Sequence, residues 1–136
     1  MSLDGYVEEW EVVGAVLAGW TACPVELPNS DFVRPGPSAD GTNPATWISV
    51  EIEDANAQLT DFAGGEQVDC IVAISIYQQR RTGTRRLREH VQALRALFKA
   101  ASTEQTVFLA PVLGNAETDD DWYARTLRVP YTWFVD

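Results

Sequence analysis

One histidine, two cysteines and a run of three aspartates are the residues of this sequence that could do chemistry. His90 could act as a general base or a metal ligand. It stands without a second histidine, beside an apolar stripe, so a boundary or buried imidazole is the simpler reading. Cys23 and Cys70 are widely separated and form no C-x-x-C pair, which leaves a zinc site without its usual ligand spacing. Asp119, Asp120 and Asp121 suggest calcium, but the spaced ligands, central glycine and closing glutamate of an EF-hand are absent around them. Gly64-Gly65-Glu66 lacks the lysine of a phosphate-binding loop. No serine sits in a nucleophile elbow. The expectation is therefore a non-enzyme with no catalytic residue, no metal and no cofactor. A small-molecule-binding or hydrolytic domain using His90 with Asp119 to Asp121 is kept as the reading of a different class.

The arginines are more informative. Residues 80–99 hold Arg80, Arg81, Arg85, Arg86, Arg88, Arg95 and Lys99 against the single acid Glu89, a charge of +6, and the remainder of the chain carries −16. A solvated basic face balanced by nearby acids is one reading. The sharper one is a contact between copies, the basic element of one meeting an acidic surface of the next. Two unlike patches make a heterologous interface, which closes into a ring when the rotation allows. Arginine suits that work because its planar fork grips carboxylates bidentately. Arg85, Arg86 and Arg88 also open a predicted helix, where positive charge opposes the helix dipole at ~0.3–1 kcal/mol each. An acidic partner would relieve that penalty. Arg80, Arg81, Arg85, Arg86, Arg88, Asp119, Asp120 and Asp121 are thus the candidate subunit or partner contacts.

Composition narrows the rest. The chain has 136 residues, 46% hydrophobic and 22% charged, with a net charge of −10. This fits a single globular domain over 1–136. An acidic surface lacks the counterion-releasing face of a general nucleic-acid binder, and it repels anionic lipid. Two cysteines cannot make a disulfide framework, so a reducing compartment is expected. The longest apolar run, Val12 to Trp20, has nine residues, far below the roughly 20 of a membrane span. No basic n-region precedes it, so no signal peptide is expected.

The elements that must position these residues can be read from periodicity. Tyr6, Trp10, Val13, Leu17 and Trp20 make a helical stripe over 5–20, with Asp4 as candidate N-cap. Five of seven prolines fall in 24–46, which predicts a long loop with a short edge strand at Val25 to Leu27. Ile48, Val50 and Ile52 alternate with Ser49, Glu51 and Glu53, predicting a half-buried strand. A second short strand over Ala57 to Phe62 and a Gly64-Gly65 turn follow. Residues 67–78 form a long strand with Val68, Cys70, Val72, Ile74 and Ile76 on one face. Thr84 is the candidate N-cap of a second helix to residue 100, whose core stripe is Leu87, Val91, Leu94, Phe98 and Ala101. Val107 to Leu113 is a strand, 114–121 a loop, and 122–135 the last strand, where Pro130 argues for an edge or a bulge. Strands run in groups, so the expected class is α+β: a mainly antiparallel, or mixed, sheet of about five to six strands with both helices on one face.

The order of these residues resembles a family. Trp20-Thr21-Ala22-Cys23-Pro24, then Pro28-Asn29, Phe32 and the strand Trp47-Ile48-Ser49-Val50, look like the first half of the phage tail terminator-like proteins. Gly64-Gly65, the long strand to Tyr77, Gly83-Thr84 leading into Leu87, Leu94, Leu97 and Phe98, and the closing Val129-Pro130-Tyr131 resemble the second half. The Arg-rich turn and the Asp triplet depart from that pattern. The resemblance implies a structural protein of a long-tailed bacteriophage or prophage. Such a protein assembles as a ring, a hexamer in lambda-like phages, caps the finished tail tube, stops its polymerisation and presents a surface for head joining. Its implied partners are itself, the tail tube protein and a head-completion or connector protein. DNA passes through without specific binding, and no membrane is involved. The implied locations are the host cytoplasm during assembly and the head–tail junction of the virion. A neck or head-completion connector of similar fold is the alternative within the same class.

Overall fold

The computed structural model describes residues 13–28, 30–36, 45–59, 66–103 and 106–135. The predicted Asp4 cap, Tyr6, Trp10 and the Gly64-Gly65 turn lie outside them. Helix α1 covers 13–17, and α2 is Arg85–Ala100. The strands are β1 Val25–Glu26, β2 Thr46–Leu59, β3 Glu66–Gln79, β4 Thr106–Phe108, β5 Val112–Leu113, β6 Glu117–Thr118 and β7 Trp122–Val135. Among the described residues these seven strands form one sheet in the order β1-β2-β3-β7-β4, with β5 and β6 also paired to β7. Only β1 against β2 is parallel. The chain is α+β, with a mixed, mostly antiparallel sheet.

Alternation decides which face is the core. Ile48 and Val50 of β2, Cys70, Val72, Ile74 and Ile76 of β3, and Leu127, Val129 and Tyr131 of β7 are buried on one side. They form one cluster with Val13, Val16, Leu17 and Trp20 and with Leu87, Val91, Leu94 and Phe98 of α2. Both helices therefore cover the same face, as the 4-3-4-3 spacings require. The Trp20 and His90 rings meet edge to face at 5.5 Å, locking α1 to α2.

Four elements differ from expectation. Residues 46–59 are a single strand whose register against β3 shifts between Glu53 and Asn56. Such an irregularity lets one strand change its pairing without ending, and it breaks the alternation that suggested two strands. Residues 107–113 are two short strands rather than one, separated by Leu109-Ala110-Pro111. The tip read as a plain loop at 114–121 contains β6, a two-residue return paired to Ala124 and Tyr123. Pro130 lies in a strand flanked on both sides, neither an edge nor a break in the β3 register. The carbonyl of Pro130 accepts the N–H of Leu109 (2.8 Å), so its missing N–H faces the gap between β4 and β5. A proline is harmless there because no ladder bond is lost.

The helix-free face is partly covered by the Pro-rich loop. Phe32 packs on Trp47 (5.9 Å), and Trp47 stacks flat on Tyr77 (4.0 Å) and meets Trp122 edge-on (6.2 Å). The Arg34 guanidinium lies 4.9 Å above the Trp47 ring. Its Nε and Nη2 both donate to the Glu26 carboxylate at 3.0 Å. Residues 30–36 thus form a strap clipped to β1.

Candidate functional site

The basic turn begins where β3 ends. Gln78, 1% exposed, turns its side chain toward the start of α2. Its Oε1 accepts the N–H of Leu87 (2.8 Å), while its Nε2 donates to Thr82 Oγ1 and to the carbonyl of Gly83. Thr84 occupies the N-cap position but makes no side-chain cap bond, so β3 supplies the cap that sequence reading assigned to Thr84. Gly83 takes φ +81°, which glycine permits. Arg81 takes φ +67°, a left-handed conformation that costs an arginine about 1 kcal/mol.

The turn and the aspartate triplet come together within one molecule. The Arg80 N–H donates to the carbonyl of Asp121 (2.9 Å), and Arg80 Nη1 donates to the carbonyl of Asp119 (3.1 Å). The Asp119 carboxylate folds inward instead, accepting the N–H groups of Asp121 (2.9 Å) and Trp122 (2.8 Å). That makes it a turn former. Arg85 pairs with Glu89 at 3.1 Å, with the guanidinium side chain 92% exposed, where such a pair contributes little. Arg86 is half-buried and close enough to act on His90 by charge.

Arg81, Arg88 and Arg95 have no carboxylate within ion-pair distance among the described residues. Arg88 and Arg95 face a cleft of about 270 Å³ between α2 and β5–β7. Arg125 lines it from β7, with Nε held on the carbonyl of Gly114 (2.8 Å). Leu87, Val91, Leu113 and Tyr123 also line it. Three guanidinium side chains thus border one apolar-floored opening. Arg95 and Arg125 were not among the expected contacts. The signal for Arg125 was its place on the otherwise apolar face of the last strand. Arg95 continues the cleft into an apolar groove of about 420 Å³ bounded by Phe98, Lys99, Phe108, Leu109 and Pro111.

The opposite edge of the sheet carries Glu26 on β1 and Glu51 and Glu53 on β2. A groove of about 310 Å³ runs between β1 and β2, lined by Glu26, Ser30, Ser49 and Glu51 among others. The Arg34 bond holds the Glu26 carboxyl below its ordinary value. Glu53 pairs with Arg128 at 3.5 Å. Glu51 is exposed and enters no ion pair among the described residues.

The residues of the enzyme reading are not brought together. His90 is buried against Trp20, and burial with the nearby Arg86 charge pushes its pKa down. Burial pushes the Cys23 thiol up, the wrong direction for a nucleophile. Cys70 is buried in the core. Among the described residues no group of three or more His, Cys, Asp or Glu side chains is placed to hold a metal ion. Nor is any described helix long and apolar enough to cross a membrane.

No protein-family model matches the chain, and no curated protein matches it. A solved structure whose name states no role is similar at 17% identity and a TM-score of 0.57, covering 98% of this chain and 96% of its own. At that identity the likeness concerns the fold.

Proposed function

We propose that this protein is a structural component of a bacteriophage or prophage tail, a ring-forming subunit that caps the finished tube, halts its growth and offers a surface for head joining. The observation that carries the reading is that guanidinium groups and a carboxylate without ion-pair partners among the described residues stand at opposite edges of one sheet. Among the described residues, Arg88 and Arg95 on the α2–β5–β7 edge pair with no carboxylate, and Glu51 on the β1–β2 edge pairs with no cation. Unlike patches on opposite sides of a subunit favour head-to-tail contacts, the kind that close into rings. Arg81 supports the same reading, since it is strained and exposed in the turn and has no ion-pair partner among the described residues. The resemblance of the motifs supplies the tail and the tube.

The proposal is tested by pull-down against the cognate tail tube protein and, separately, the portal-side connector. Binding to the tube protein, with tubes failing to elongate in its presence, is the expected result. Capture by the connector alone would move the protein to the neck, and capture by neither would end the assembly reading.

A further inference from the structure

We propose that the cleft between α2 and the β5–β7 edge is a carboxylate socket within the joint between identical subunits, and that Glu51 on the β1–β2 edge of a second copy enters it. This rests on the ring reading and gives that joint its residues.

The cleft asks for an anion. Arg88, Arg95 and Arg125 border a space of about 270 Å³, and like charges gathered around one opening favour an anion within it. Arg88 and Arg95 have no carboxylate among the described residues, and Arg125 spends only its Nε on a backbone carbonyl. Guanidinium groups so arranged bind carboxylate oxygens bidentately.

The occupant is sought among the carboxylates of the β1–β2 edge that line its groove or flank it. Glu26 is held by both arms of Arg34, and Glu53 is matched to Arg128. Glu51 lies between them on β2, exposed and without an ion pair among the described residues, on a strand paired to Ala73 of β3. A carboxylate on a paired strand loses less entropy on docking than one on a loop. The aspartate triplet fits less well. It lies against Arg80, next to the cleft of its own copy, so its meeting a neighbour's cleft would give a two-fold dimer and not a ring.

The test is a charge swap read by sedimentation equilibrium, with circular dichroism confirming that each exposed-site variant folds. Arg95→Glu and Glu51→Arg each weaken self-association at least tenfold, and the double variant recovers most of it. Where the ring closes only on its template, the same swap is read as a disulfide between Glu51→Cys and Arg95→Cys copies bound to tail tubes. Variants that associate like the wild type would overturn the socket while leaving a ring intact, whereas recovery when Arg95→Glu is combined with Asp120→Arg in place of Glu51→Arg would overturn the socket in favour of a two-fold dimer. A wild-type protein that neither associates nor decorates tubes would overturn the ring reading itself, and the socket with it.

Discussion

Gln78 caps a helix to which it does not belong: its Oε1 accepts the N–H of Leu87 at 2.8 Å, tying the end of β3 to the first turn of α2. The bond fixes the direction in which α2 leaves the sheet. It therefore fixes the placement of Arg88 and Arg95 over β5 and β7.

Gln78→Ala leaves the buried Leu87 N–H without a partner, and a cost of about 1–3 kcal/mol is expected. Thr84→Ala, which removes no cap bond, should cost less than about 0.5 kcal/mol. Urea denaturation of both variants checks the order. The reverse order would return the cap to Thr84.

Leu94 is wholly buried between α2 and the sheet. Leu94→Ala should cost about 2–5 kcal/mol through lost transfer energy and the cavity left behind. Val112→Ala, 64% exposed on the neighbouring edge, should change stability by less than about 0.5 kcal/mol. Thermal unfolding compares the two.

His90 gives a signed pH dependence. Its folded pKa lies below the ordinary 6.5 because burial and Arg86 disfavour the imidazolium, with Glu89 opposing them weakly. Below 6.5 the unfolded chain takes up a proton that the folded chain refuses, so stability falls as pH drops from 6.5 towards the folded value. His90→Phe removes that component. The wild type should lose more melting temperature than the variant between pH 7.5 and about 5. Equal losses would mean that the imidazole charges freely in the fold.

Arg34→Ala releases the strap. Its ion pair with Glu26 is partly exposed, so the stability loss should stay within about 1–2 kcal/mol, including the ring contact. The Glu26 carboxyl should return towards its ordinary 4.5, removing stability that is present above that value and fades as pH falls through the lowered one. Tryptophan fluorescence reports the opening, because Phe32 and Arg34 both cover Trp47. An unchanged, unquenchable spectrum would show that the strap stays closed without the arginine.

Arg81→Gly should raise stability by up to about 1 kcal/mol by relieving the left-handed backbone, against glycine's greater entropy loss. Chemical denaturation checks the sign, and a loss of stability would mean that the arginine side chain supports the turn.

Much of the fold was legible because burial imposes a period. The α2 stripe from Leu87 to Phe98 and the even face of β3 from Cys70 to Ile76 are buried as their spacing predicts. Pairing was less legible. The β2 irregularity has no residue-type marker, and the role of Pro130 depends on a gap in a strand that only tertiary pairing creates. The Gln78 cap was invisible because its partner comes from the next element. At the candidate site, the Arg cluster was evident. That Arg80 meets the aspartate loop, and that Arg95 and Arg125 converge across α2 and β7, required the fold.

The most direct measurement of the central claim is negative-stain imaging of the protein mixed with its cognate tail tubes. The account predicts a ring of density on one end of each tube and tubes that no longer lengthen when more tube protein is added. Bare tube ends with continued elongation, at protein concentrations well above that of the ends, would contradict it.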